Sequence, residues 1–393
     1  MAPPALPPEL HSLIIRIATY SPACFDASPD ARSWPELERG ITTEYQTKKA
    51  LTLVSSQFLS ISLPYLYEVV QVRKSSSMHR LANVLDVTSF GASTSGLRSP
   101  RKVEYLFVST WVFHDGKTEV ALFSSLERVL SRCVGLQGFG FYSATPQLMK
   151  HNWMTAIPKG VRFVDWNGLI MSLDFTQIVD SISESLTSLR FSKVRVKQKS
   201  PSATLPKLTH LSVPEEYDLT VLYDWSMPSL THLHVKILSS VTLMRVVEHF
   251  GNSLRSATLG AVVERTLLTQ LATTAQNLEG CTYHFRIGMI QSWQLVRSHP
   301  SLQSIVVLVS CFIEGDNEAW LQMSAFCCHL QPLTVANFPK LRRIRFVGFH
   351  PSFIRYTKAG ARLDELLDAW NLSGVEVRFL EVTDNYECFM FPL

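Results

Sequence analysis

The sequence predicts an α/β solenoid, a repeat array built on a parallel β-sheet, with a small all-α module in front of it. Three observations carry this. The phrase Pro206-Lys-Leu-Thr-His-Leu-Ser-Val213 returns as Pro228-Ser-Leu-Thr-His-Leu-His-Val235, Pro300-Ser-Leu-Gln-Ser-Ile-Val-Val307 and Pro339-Lys-Leu-Arg-Arg-Ile-Arg-Phe346. Copies of its apolar-x-x-apolar-x-apolar core start 22 to 25 residues apart between Leu136 and Leu302. Residues 1–75 do not follow that period.

The first element is a helix. Leu6-Pro7-Pro8-Glu9-Leu10 leads into Leu13, Ile14 and Ile17, which share one helical face. Proline is tolerated at a helix start because its missing N–H would have no partner there. A polar, proline-containing interruption follows over residues 21–46. A second amphipathic stretch runs from Ala50 to Leu59, and Val69-Val70-Gln71-Val72 ends the segment as an apolar, strand-like run.

Each later copy reads as a strand followed by a helix. The last two apolar positions lie two residues apart, so they share one face of a strand and the residues between them face the other way. Apolar residues three or four apart then follow, as in Leu243-Val246-Val247-Phe250, Leu267-Leu268-Leu271 and Ile290-Trp293-Val296. Such a unit cannot bury its own apolar face, but stacked neighbours share one core. Copies start at Val103, Leu136, Val161, Leu186, Leu208, Leu230, Leu254, Leu278, Leu302, Leu341 and Val377, about eleven repeats over residues 76–393. The long last spacings imply insertions, most clearly over 309–338. An open, doubly wound sheet also alternates strands and helices, but rarely at so short a period.

The array resembles the leucine-rich-repeat family in a divergent form, which implies a horseshoe with a parallel, concave β-sheet. It lacks the Asn or Cys that often closes the strand turn. In this geometry the alternate strand positions face the concave side. They include Phe163, Asp165, Arg190, His210, His232, His234, His284, Arg343 and Arg345, which form the expected partner-binding surface. His210 and His232 should be lateral neighbours about 4.8 Å apart. Their simplest role is an exposed polar ladder, and a metal or pH-sensing cluster is the alternative.

Residues 1–75 resemble an F-box. The opening Leu-Pro-x-Glu-Leu pattern is matched by Leu6, Pro7, Glu9, Leu10, Ile14 and Ile17, and the second half by Leu51, Val54, Ser55 and Phe58. Two departures are the 21–46 interruption and Phe58 in place of the usual late Trp. The resemblance implies docking on a Skp-type adaptor and cullin scaffold through Leu6, Pro7, Glu9, Leu10, Ile14, Ile17, Leu51, Val54 and Phe58. The concave face would then bind a target protein for ubiquitin transfer by other subunits. The alternative is a stand-alone leucine-rich-repeat scaffold whose N-terminal helices only cap the array, as open repeat ends require.

Composition excludes other classes. The chain has 393 residues, 46% hydrophobic and 18% charged, which excludes disorder over most of its length. A formal net charge of +4 is too small to argue for a nucleic-acid partner. No apolar run reaches the roughly 20 residues that span a bilayer, and no secretory signal is expected. Seven thinly spread cysteines fit free thiols in a reducing compartment, hence cytoplasm or nucleus. No catalytic residue, metal or cofactor is expected. The sequence holds no Gly-x-Ser-x-Gly elbow, His-Glu-x-x-His motif or Walker-type loop. Gly135-x-x-Gly138-x-Gly140 falls in a repeat strand, and Cys327-Cys328-His329 reads as core filler.

Overall fold

The computed structural model describes residues 7–18, 34–90, 102–110, 116–143, 152–195, 202–213, 222, 224–235, 240–263, 265–285, 293–309, 319–349 and 358–380. The chain forms two compact units, Met1–Lys207 and Leu208–Leu393, so the division falls inside the repeat array. The fold is α/β and solenoid-like, with parallel strands that follow one another in chain order within each unit.

Among the described residues the first unit begins with the helices α1 (Pro8–Ala18), α2 (Trp34–Thr52) and α3 (Ser56–Glu68). Strand β1 (Val69–Val72), α4 (Ser75–Phe90), β2 (Tyr105–Thr110), α5 (Gly116–Arg132), β3 (Gly138–Ser143), β4 (Phe163–Met171), α6 (Ser172–Ser181) and β5 (Ser188–Arg195) follow. The second unit holds β6 (His210–Val213), β7 (His232–Val235), α7 (Ser240–Phe250), β8 (Ser256–Val262), α8 (Arg265–Thr274) and β9 (Gly280–Phe285). It ends with β10 (Ser304–Val309), α9 (Ala319–Leu330), β11 (Arg343–Val347), α10 (Lys358–Leu372) and β12 (Glu376–Leu380).

One backbone device recurs where strands begin. The carbonyl just after the first apolar residue of a copy accepts two N–H groups from the next copy. Glu104 O accepts from Gln137 N and Gly138 N, Gln137 O from Arg162 N and Phe163 N, and Arg162 O from Thr187 N and Ser188 N. In the second unit Thr209, Thr231, Arg255, Glu279 and Gln303 do the same. These bonds set each strand in register with the last. The apolar positions therefore stack in one row beneath the helices, where Phe123 meets Phe141, Phe175 meets Phe191 and Trp370 meets Phe346.

The register revises the repeat count. β1 pairs with β2 like any other neighbour, so residues expected to close the helical module begin the sheet. Val377 pairs with Ile344, which holds the second apolar position of its copy, not the first. The last copy therefore begins nearer the buried Val375. It starts after Gly374, whose positive φ of 75° ends α10, while Val375 N bonds back to Trp370 O.

Four local expectations also change. The 21–46 interruption contains more than the first half of α2, which begins at Trp34. The amphipathic stretch 50–59 spans two helices, because Ser55 caps α3 by accepting a hydrogen bond from Phe58 N. The 309–338 insertion contains α9, which sends Phe326, Cys327, His329 and Leu330 into the core. The helix expected around Ile290-Trp293-Val296 is absent from residue 293 onward, where Trp293 packs against Tyr283 and Phe338 instead.

The sheet face turned away from the connecting helices is not bare in the first unit. Ile41 of α2 is buried with Val69, Tyr105, Phe107 and Tyr142, and Phe163 packs against the same cluster. All five sheet residues occupy positions turned away from the connecting helices. Gly138 and Gly140 make room for the rings. A methyl group at Gly138 would overlap Tyr105, and one at Gly140 would overlap Phe107. The Gly-x-Gly is thus a seat for two aromatic rings.

Gly140→Ala should destabilise the first unit by about 1–3 kcal/mol through overpacking, read from denaturant unfolding. Gly160→Ala, with open space around the added methyl, should stay within about 0.5 kcal/mol of wild type.

Candidate functional site

Two surfaces gather the residues that the sequence singles out. The first is built on α1. The Pro7 carbonyl accepts the N–H groups of Leu10 and His11 and so starts the helix, and Glu9 sits in the first turn, where a negative charge suits the dipole. One side of α1 is anchored on α3: Ile15 is buried, Ser12 Oγ lies 2.8 Å from Tyr65 Oη, and His11 meets Phe58 at 5.3 Å between ring centroids. The other side is left in solvent. Leu10, Leu13, Ile14 and Ile17 are 44, 53, 52 and 68% exposed. At the α2–α3 junction Leu53, Val54 and Leu59 are exposed too, while Leu51 and Phe58 are half-buried. Pro7 and Glu9 are exposed, and Leu6 lies outside the described residues.

Such exposure is informative because α1 has a partly satisfied apolar face. A short helix with four large apolar side chains in water is costly unless something covers them. The expected set omits Leu13, Leu53 and Leu59. Leu13 could have been read from its i+3 spacing to Leu10, whereas Leu53 and Leu59 depend on where α2 ends and α3 begins.

The second set is the row of strand positions turned away from the connecting helices, which differs between the two units. In the first unit Asp165 is buried, accepts a hydrogen bond of 2.6 Å from Tyr142 Oη and lies 3.9 Å from Arg190 Nε. Burial pushes its carboxyl above the usual range, against the opposing pull of Arg190 and the Tyr142 hydroxyl. Phe163 and Arg190 are half-buried. Asp165 is therefore committed to internal partners, because α2 and the aromatic cluster fill this end of the face.

In the second unit His210 and His232 pair in register and stack, with centroids 4.1 Å apart and planes 13° from parallel. Each Nδ1 meets the hydroxyl of the preceding threonine, Thr209 at 2.7 Å and Thr231 at 2.8 Å. Parallel rings aim corresponding nitrogens in the same direction, so they do not converge on one ion. Among the described residues no three His, Cys, Asp or Glu side chains group to hold a metal. His234 is buried with its Nδ1 3.0 Å from Ser212 Oγ, and His284 is buried near the end of β9. At the last strands Arg343 Nε donates to Glu376 at 3.0 Å, Arg378 pairs with the same carboxylate, and Arg345 is half-buried.

The cysteines that are described suit packing rather than chemistry. Burial pushes the Cys133 thiol up to about 12 and the Cys327 thiol up to about 11, while Cys328 is exposed. No helix among the described residues is long and apolar enough to cross a membrane. No protein-family model matches the chain, and no curated protein sequence matches it.

Asp165 makes a pH prediction. Its native pKa lies above the reference value of 3.8, so the folded state holds its proton more tightly than the unfolded state. The stability due to this group is present at low pH and is lost as pH rises from 3.8 through the native pKa. Asp165→Asn should remove that decline, so the wild type loses stability relative to the variant as pH rises. Denaturant midpoints across the acid range read it. The opposite slope would mean that Arg190 and Tyr142 outweigh burial.

Proposed function

We propose that this chain is the non-catalytic, target-binding F-box subunit of a Skp–cullin–F-box ubiquitin ligase. The observation that carries the reading is the apolar stripe Leu10, Leu13, Ile14 and Ile17, left exposed on a helix whose other side is anchored. It supports helix-in-groove docking, in which an amphipathic helix places its apolar face in a partner's groove. The F-box-like pattern of Leu6, Pro7, Glu9, Leu10, Ile14, Ile17, Leu51, Val54 and Phe58 names a Skp-type adaptor as that partner.

In this reading the chain makes and breaks no bond. It holds a target near the transfer machinery and raises its effective concentration there. The helix α2 already fills the concave face over β1–β4, so the target contacts fall to the polar positions of β6–β12. The reading places the protein in the cytoplasm or nucleus.

A second reading is favoured by Ile41 and Lys48, both buried residues of α2. They make the N-terminal helices a cap for the array, and the chain a stand-alone binding scaffold. The readings separate on α1, because a cap needs only its buried side.

Co-purification with a Skp-type adaptor tests this. Leu10→Asp with Ile14→Asp alters two exposed side chains, so the chain should still fold. Adaptor affinity should fall by about a hundredfold or more, given ~1.5–3 kcal/mol for each buried leucine or isoleucine. Undiminished binding, or none by the wild type, would remove the adaptor reading and leave the scaffold.

A further inference from the structure

The last two strands carry charges that their packing does not balance. On the concave side Arg343 stands opposite Glu376, and Arg345 stands opposite Arg378. Directly opposed strand residues have Cβ atoms only about 4.5–5.5 Å apart, and like charges placed so are unfavourable. Among the paired concave-side positions of β9 to β12, Glu376 is the only carboxylate set against three arginines. It is already engaged, by Arg343 Nε at 3.0 Å and by Arg378. Those two guanidinium groups hold its carboxyl below the usual range, so it stays charged and bound to them.

Arg345 is left out of this arrangement. Its Nε is buried and has no hydrogen-bond partner among the described residues. On its other side β10 offers only Val306 in register, an apolar neighbour that can line the alkyl stem but cannot accept a bond. A buried, unsatisfied donor on a cation is costly, and native structures keep few of them. Packing does not explain why β11 and β12 place two arginines side by side. An anion between them would turn the repulsion into two charge-assisted contacts through the guanidinium ends.

We infer that Arg345 and Arg378, with Arg343 at the margin, form an oxyanion site for a carboxylate or phosphate group on an acidic segment of a partner protein. Arginine suits this role because its planar fork matches both groups. The proposal gives the target contact of the receptor reading a chemistry, yet it stands on the unmatched charges alone. Its test omits the adaptor, so the two readings fail separately.

The full chain is titrated with inorganic phosphate and, separately, with triglutamate, each against sodium chloride at equal ionic strength, and thermal unfolding is followed. At least one anion should raise the unfolding temperature saturably beyond chloride. Arg345→Gln and Arg378→Gln should each raise the half-saturating concentration about tenfold or abolish the shift, in keeping with the loss of one charge-assisted bond. Without anion, Arg345→Gln should unfold at or above the wild-type temperature, because a repulsion has been removed. The stronger of the two anions identifies the group as phosphate or carboxylate. No shift beyond chloride with either anion, or a shift that survives in both variants, overturns the proposal.

Discussion

Parallel pairing between successive copies is the constraint on which the rest of the structure depends. A parallel strand cannot turn back on its neighbour and needs a crossover between strands. Here the crossover closes by handing one carbonyl two N–H groups from the next copy, as at Glu104, Gln137, Arg162, Thr209 and Thr231. Once those bonds are made, each strand position is locked beside its counterpart. Leu211 stands beside Leu233 and then Ala257, and His210 beside His232 and then Ser256. Rows of like position then have rows of like fate, either under the helices or away from them.

The row under the helices is mostly apolar, and aromatic residues carry much of the core volume beside it. Trp153 and Trp166 stack at 5.8 Å in the first unit, and Phe326, Phe346, Phe349 and Phe379 meet in the second. The opposite row divides the molecule by chemistry. Over β1–β4 it holds Tyr105, Phe107 and Tyr142 and is covered by Ile41, so even Asp165 becomes an internal group. Over β6–β12 it carries histidine, serine, threonine and arginine. In the second unit this row is mostly polar, interrupted by Val306, Leu308 and Val347, and its arginines outnumber its one carboxylate, Glu376.

The two proposed surfaces differ in kind. The α1 stripe is apolar and partly committed, since one side of the helix rests on α3 through Ile15, Ser12 and His11. Its free side offers area. The Arg345–Arg378 pair offers charge without area, and favours a ligand whose own group completes the hydrogen bonding. A receptor needs both kinds of contact: one general enough for a common adaptor, the other selective enough for a target.

The period of the chain was enough to determine the strands from β2 to β11, their parallel order and the alternation of their faces, because two-residue alternation is a local property that pairing then repeats. His210 beside His232 follows from this, and so does the burial of Phe191, Tyr283 and Phe346. The helical stripe of Leu10, Ile14 and Ile17 is equally local. Tertiary structure alone decided what covers each row. Residues 34–46, read from the sequence as part of a polar interruption, lie in a helix whose Ile41 and Lys48 are buried. Gly138 and Gly140, which the sequence already placed in a repeat strand, became seats for Tyr105 and Phe107. The apparent single stretch 50–59 divided where Ser55 caps α3, and Val69–Val72 joined the sheet because Tyr105–Val108 lay beside it. Alternation says which way a residue points, but burial depends on what arrives there from elsewhere in the chain.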